Sequence, residues 1–238
     1  MARADGVVIA SERFWAFASR DGVVQEGAMP APPRLVRRVP LLRGMVRLGL
    51  ALTPLFRGRG VARRRERVFL LAALLAPLSL IFLPQSASLP LGIGIGVVLV
   101  GWMLRGRTLF LHGAEHRAIA AAEAGNLVPT WVGQAKPSRF ATRCGTNFAA
   151  LVFPVSVLAD RLWPLPAAAY TPFAISLLSL ALTMELWLAV EASTKRFARA
   201  LLLPGLGLQR ITTREPRLEE TRVALRAVES VLSRQLAA

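Results

Sequence analysis

The chain has two histidines and one cysteine, and all three fall in one short window. His112-Gly113-Ala114-Glu115-His116 is followed about thirty residues later by Arg143-Cys144-Gly145-Thr146. The first run has the His-x-x-Glu-His spacing of inverted zinc peptidases. On a helix, His112 and His116 lie one turn apart on one face, so both imidazoles can reach one ion. Glu115 then sits beside them and can act as general base toward water activated by that ion. A third ligand is required. Cys144 can supply a thiolate, and Glu185, an ionisable residue inside an apolar run, is a second candidate because burying it is costly. Glu123 is roughly 10 Å beyond His116 along a straight helix, so it is expected to support the site, as are Arg143 and Thr146 beside the cysteine. The chemistry would be hydrolysis of an amide or ester with a divalent metal, zinc first. Each residue also has a plainer use: a hydrogen-bonded polar turn for the His-Glu-His run, a small buried residue for Cys144, and an arginine partner for Glu185.

The rest of the chain must hold these residues in place. It is 54% hydrophobic and 18% charged, with a net charge of +16 carried by 28 Arg and 2 Lys. Its apolar residues come in blocks, and four of these, at 68–84, 89–104, 148–163 and 170–190, are near the length that crosses roughly 30 Å of hydrocarbon. The expected fold class is therefore an all-α polytopic membrane protein with about four transmembrane helices, interfacial helices, a small N-terminal β-hairpin and a C-terminal cytoplasmic helix. Expected divisions are an N-terminal segment at 1–40, a basic interfacial helix at 41–67, a four-span region at 68–194 with a loop at 105–147, and a tail at 195–238. Of the 30 basic residues only Arg161 falls outside 1–67, 105–147 and the tail. The positive-inside bias thus places both termini and the His-Glu-His loop in the cytoplasm.

Local signals fill in the outline. Phe14–Ser19 is rich in strand formers, and Asp21-Gly22 is a hairpin turn before Val23-Val24. Arg43 and Arg47, four residues apart with Leu and Met opposite, suit a helix lying in the interface. Arg57, Arg59, Arg63, Arg64, Arg65 and Arg67, opposed only by Glu66, form a run suited to anionic head groups. Leu218–Leu236 is an amphipathic helix with Val223, Ala227, Val228, Val231 and Leu232 on one side. No cleaved signal peptide is evident, and one cysteine excludes an internal disulfide.

Four blocks of this sequence resemble the YqhQ-like bacterial membrane proteins, a family of unknown function catalogued as predicted metal-dependent enzymes. They are Leu42-Arg43-Gly44-Met45-Val46, His112-Gly113-Ala114-Glu115-His116-Arg117, Arg143-Cys144-Gly145-Thr146-Asn147-Phe148, and Pro204-Gly205-Leu206 with Leu208 to Pro216. Glu185 falls where the family usually has a glutamate. Two blocks depart from the pattern: Ala141-Thr142 stands where relatives read His-Pro, and Gly6-Val7-Val8-Ile9-Ala10 where they read Gly-Val-Met-Met-Arg. The resemblance implies a metal site, which the missing histidine at 141 would weaken.

Two functions follow as expectations. One is a metal-dependent, hydrolase-like membrane enzyme with its site at the cytoplasmic face. The other is a non-enzymatic scaffold or assembly factor whose basic surface binds anionic lipid or a protein partner. Nucleic acid is the less favoured use of the charge because the apolar blocks place that charge beside lipid.

Overall fold

The Asp21-Gly22 turn forms as its chemistry requires: Gly22 takes φ +87°, and the Ser19 hydroxyl accepts from the Val23 N–H at 3.1 Å. It joins strands β2 (Phe14–Ser19) and β3 (Val24–Ala28), and β1 (Gly6–Ala10) pairs on the other side of β2 in a three-stranded antiparallel sheet of order β1-β2-β3. In this computed structural model the described residues are 1–57, 61–68, 71, 72, 87, 90, 91, 94, 95, 97, 98, 101, 105–166, 168 and 170–238. The helices that lie wholly within them are α1 (Leu42–Ala51), α2 (Thr53–Arg57), α3 (Thr108–Glu123), α4 (Leu127–Trp131), α5 (Gly145–Arg161), α6 (Thr171–Ala192), α7 (Arg196–Ala200), α8 (Leu203–Thr212) and α9 (Leu218–Leu236), and residues 64–68 are helical as well. A single 3₁₀ turn spans Val36–Arg38.

Strand alternation splits the sheet's side chains between two cores. Val7, Ile9, Ala16 and Ala18 pack with Leu111, Ala114 and Ala118 of α3 and with Val223, Ala227, Val228 and Val231 of α9. Val8, Trp15 and Phe17 pack on the opposite face with Leu55, Val61 and Ala62. The apolar side expected for the C-terminal helix is the side that is buried, with Leu232 partly so. The helix begins with acidic residues, and Glu220 Oε2 accepts from the Arg217 N–H at 2.8 Å, as a capping box does. Fully buried Ala114, Ala118 and Ala121 of α3 let it approach the sheet and α9 closely, and this fixes the helix that carries His112 and His116.

The expected all-α, four-span architecture does not hold. The chain is mixed α/β, and among the described residues only α6 is long and apolar enough to cross a membrane. The expected spans at 68–84 and 89–104 fall largely outside the described residues. The one at 148–163 lies in α5, whose 17 residues extend only about 26 Å. Hydropathy over a short window cannot separate a span from a helix that ends at a polar site, and α5 begins at one.

The expected helix over 41–67 is also divided. Leu52 ends α1, and α2 starts afresh with Pro54 in its first turn. α1 crosses α6 at Gly44, where a Cβ would lie 2.8 Å from Met184 Cβ. Beside the crossing, Arg43 Nε donates to both oxygens of Glu185 at 2.9 and 3.0 Å. Leu41, at φ +68° a conformation costing a side-chain-bearing residue roughly 1–2 kcal/mol, donates its N–H to the same carboxylate at 3.2 Å.

Candidate metal centre

α3 presents His112 and His116 on one face, and their rings meet edge-on with centroids 4.5 Å apart. Each ring is oriented from outside by a backbone carbonyl. His112 Nδ1 lies 2.9 Å from Thr212 O, and His116 Nδ1 lies 2.7 Å from Arg139 O. With Nδ1–H donating in each case, the Nε2 atoms are left as bases. His112 Nε2 faces Cys144 Sγ at 3.3 Å. One ligand atom from each of His112, His116 and Cys144 falls within 4.8 Å of the others. Two ligands at ordinary zinc–nitrogen and zinc–sulfur distances, set tetrahedrally, would be about 3.6 Å apart. The cluster is therefore within a few tenths of an ångström of that edge along His112–Cys144.

Cys144 is buried and caps the start of α5, its sulfur accepting from the Thr146 N–H at 3.5 Å and from the Thr146 hydroxyl at 3.2 Å. Burial pushes the thiol up, but hydrogen bonds and positive charge from His112 and His116 outweigh it and hold the thiol at about 5. The positive end of α5 favours the same anion. Burial likewise pushes the His112 imidazole down, and the Cys144 hydrogen bond and the charge of Glu115 more than reverse it, so its pKa is raised. Cys144 and His112 are thus set as a thiolate facing an imidazolium when no metal competes.

Glu115 lies next to this cluster. Its Oε1 is 2.7 Å from the amino group of Met1, and its Oε2 is buried without a partner among the described residues. Burial would push this carboxyl up, yet the Met1 amine, His112 and His116 together hold it below its ordinary value.

Two straps close over α3, one at residues 212–216 and a second at residues 137–142. The backbone of 212–216 crosses it at Gly113, where a Cβ would lie 2.2 Å from Arg214 O, and Arg214 N donates to Leu109 O at 2.9 Å. Only glycine allows that crossing, and the crossing brings Thr212 O to His112. Buried Arg117 fastens both straps, donating to Pro137 O at 3.0 Å and to Glu215 Oε1 at 2.6 Å. Arg139 Nη1 reaches Thr213 O at 2.6 Å. The second strap is held from below by two fully buried amides. Gln209 exchanges hydrogen bonds with Ala141 at 2.9 and 2.7 Å, and Asn147 Nδ2 reaches Ala141 O and Thr142 O at 3.0 and 2.6 Å. Gly205 lets α8 lie directly on Asn147, within 2.5 Å of its Cα for a hypothetical Cβ.

The structure thus brings together His112, His116, Cys144, Glu115 and Thr146. It does not bring Glu185, which Arg43 and Leu41 engage instead. Glu123 and Arg143 pair with each other at 3.3 Å on the exposed rim. Within the basic run, Arg63, Arg64 and Arg65 are exposed, Arg67 Nε donates to Ala62 O at 2.9 Å, Arg57 ends α2, and Arg59 lies outside the described residues. Reading the motif alone missed the orienting carbonyls of Thr212 and Arg139, since carbonyls carry no sequence signal.

Fold and site define a class: a mixed α/β chain, with one long apolar helix among the described residues, in which two straps clamp a half-buried to buried His-His-Cys cluster. The chain belongs to the family described as protein of unknown function (DUF1385), which matches residues 95–234. That span holds α3, both straps, the cluster and almost all of α9, and leaves the sheet outside. No curated protein and no solved structure matches the chain.

Proposed function

We propose that His112, His116 and Cys144 hold a divalent transition metal, zinc by preference, at the centre of a hydrolase-like site. One observation carries this reading. Both imidazoles spend Nδ1 on a backbone carbonyl, which leaves both Nε2 atoms available, with His112 Nε2 facing Cys144 Sγ at 3.3 Å and ligand atoms of all three residues within 4.8 Å of one another, and metal-ligating histidines are usually oriented from behind in this way. Three protein ligands leave a fourth position for substrate, the arrangement of catalytic rather than structural zinc. When bound, the metal would supply Lewis-acid polarisation of an ester or amide carbonyl. Glu115 Oε2, ionised and unpartnered, is the group placed to take a proton from the attacking nucleophile. The strap carbonyls of Thr212 and Arg139 keep the tautomers of the two imidazoles fixed.

The site is proposed to lie at the cytoplasmic face of the bacterial inner membrane. Only 28% of the apolar window of α6 is buried against the described residues, which favours a lipid-facing helix over the core helix of a soluble domain. Phe153, Val157 and Leu158 of α5 are exposed as well, and contiguous apolar surface of that kind calls for an apolar solvent. Cys144 caps the polar end of α5, which would put the cluster at the headgroup level.

Glu115→Gln tests the assignment of roles. It should retain metal and fold while losing hydrolysis of ester or amide probes; full activity in that variant would remove Glu115 from the mechanism. The exposed Arg63, Arg64 and Arg65 favour a second reading, a scaffold that binds anionic lipid or a partner. On that reading Glu115→Gln changes nothing and neutralising the three arginines abolishes recruitment.

A further inference from the structure

Away from the His-His-Cys cluster, three arginines from three separate elements line one small cavity. Arg20 comes from the β2–β3 turn, Arg107 from the residue preceding α3, and Arg217 from the residue preceding α9; Phe110, Glu219 and Glu220 complete the lining. On α3 the positions of Arg107 and Phe110 are turned roughly 140–240° from His112 and His116 at 100° per residue, so this cavity and the cluster occupy opposite sides of the helix.

The charge at this place is unbalanced. Arg20, Arg107 and Arg217 have no carboxylate partner among the described residues. Of the two carboxylates present, Glu220 is used in capping the Arg217 N–H. α3 starts with no side-chain cap and no acid in its first turn, so its positive pole adds to the arginines. Guanidinium groups brought together without an anion repel one another, and an oxyanion offering several acceptors relieves that and matches their fork geometry. The cavity is about 160 Å³, below the roughly 300 Å³ at which pockets begin to enclose drug-sized ligands. It suits a single tetrahedral oxyanion rather than a whole nucleotide.

We propose that Arg20, Arg107 and Arg217 form a phosphate-binding site. The phosphate belongs either to a phospholipid head group or to a small soluble phosphate. Arg107 follows the apolar run at 89–104 by three residues, a position that a head group can reach.

The test uses the full chain in a zwitterionic detergent. Binding of inorganic phosphate and of dioctanoyl phosphatidylglycerol is measured by calorimetry, with dioctanoyl phosphatidylcholine as the zwitterionic control. Arg107→Gln/Arg217→Gln is compared with Arg34→Gln/Arg38→Gln, which removes equal charge from exposed positions elsewhere, and each variant's unliganded melting temperature is checked against wild type. The expected result is at least tenfold weaker binding in the first variant and little change in the second. Glu219→Gln, which removes the carboxylate without a partner, should tighten binding. Saturable binding of inorganic phosphate would assign a soluble phosphate; binding of phosphatidylglycerol alone would assign a head group. Binding of neither probe, or equal loss in both double variants, overturns the proposal. Should Arg107→Gln/Arg217→Gln fail to fold, Arg20→Gln and Glu219→Gln decide it by their opposite signs, and matching signs overturn it.

Discussion

Gly113→Ala is the sharpest perturbation of the scaffold around the cluster. The new Cβ would lie 2.2 Å from Arg214 O, 3.4 Å from Arg214 C and 3.3 Å from Pro216 Cδ. An ordinary carbon–oxygen contact needs about 1 Å more than the first of these, and the obstacle is backbone on both sides. Overpacking of this kind costs about 1–3 kcal/mol. Moving the strap also withdraws Thr212 O from His112 Nδ1, a further loss of about 1 kcal/mol. Against this, alanine gains about 1 kcal/mol over glycine within a helix, leaving a net destabilisation of about 1–3 kcal/mol. At this chain length that is a fall in Tm of about 2–12 °C. Loss of the orienting carbonyl should weaken metal affinity about 10–100-fold. Thermal denaturation and competition with a chromogenic chelator measure the two quantities. A variant about 1 kcal/mol more stable than wild type, with unchanged affinity, would refute the strap as the element that orients His112.

Further outcomes follow from the same geometry. Because the chain has one cysteine, thiolate absorbance near 240 nm in metal-stripped protein reports Cys144 alone. It should persist from neutral pH down to a midpoint near 5, and a midpoint near 8–9 would deny the pairing with the histidines. The depressed thiol pKa contributes stability fully present above its unfolded value near 9 and lost as pH falls toward 5. The raised His112 pKa contributes stability present below about 6.5 and lost as pH rises through its folded value. Metal affinity runs the other way for His112, since a protonated imidazole cannot ligate, and should decline as pH falls through that raised pKa. Glu185→Gln should loosen the contact of α1 on α6, because it weakens a carboxylate that the Arg43 guanidinium and the Leu41 N–H share, without lowering metal content; loss of metal in that variant would return Glu185 to the ligand set.

Several of these features can be read directly in the residues. The hairpin follows from Asp21-Gly22 between strand formers, the buried side of α9 from its 3.6-residue period, and the shared face of His112 and His116 from their four-residue spacing. β1 was not legible as a strand because it is buried on both faces, so Val7, Val8 and Ile9 show no alternation. The four-span expectation failed because apolar runs reveal burial and not its medium: α5 is apolar, yet it starts at a polar cluster and is too short to cross. Tertiary pairings such as Arg43 with Glu185, or Gln209 with Ala141, join residues far apart in sequence and leave no local trace. Glu185 therefore drew attention as a buried charge, while its partner could not be named.

Metal content of the purified full chain, measured beside His112→Ala/His116→Ala, tests the central claim most directly. The account predicts close to one equivalent of zinc in the wild type and none in the double variant, with both folded. Metal retained by the double variant, or a wild type that stays metal-free after incubation with zinc, would contradict it.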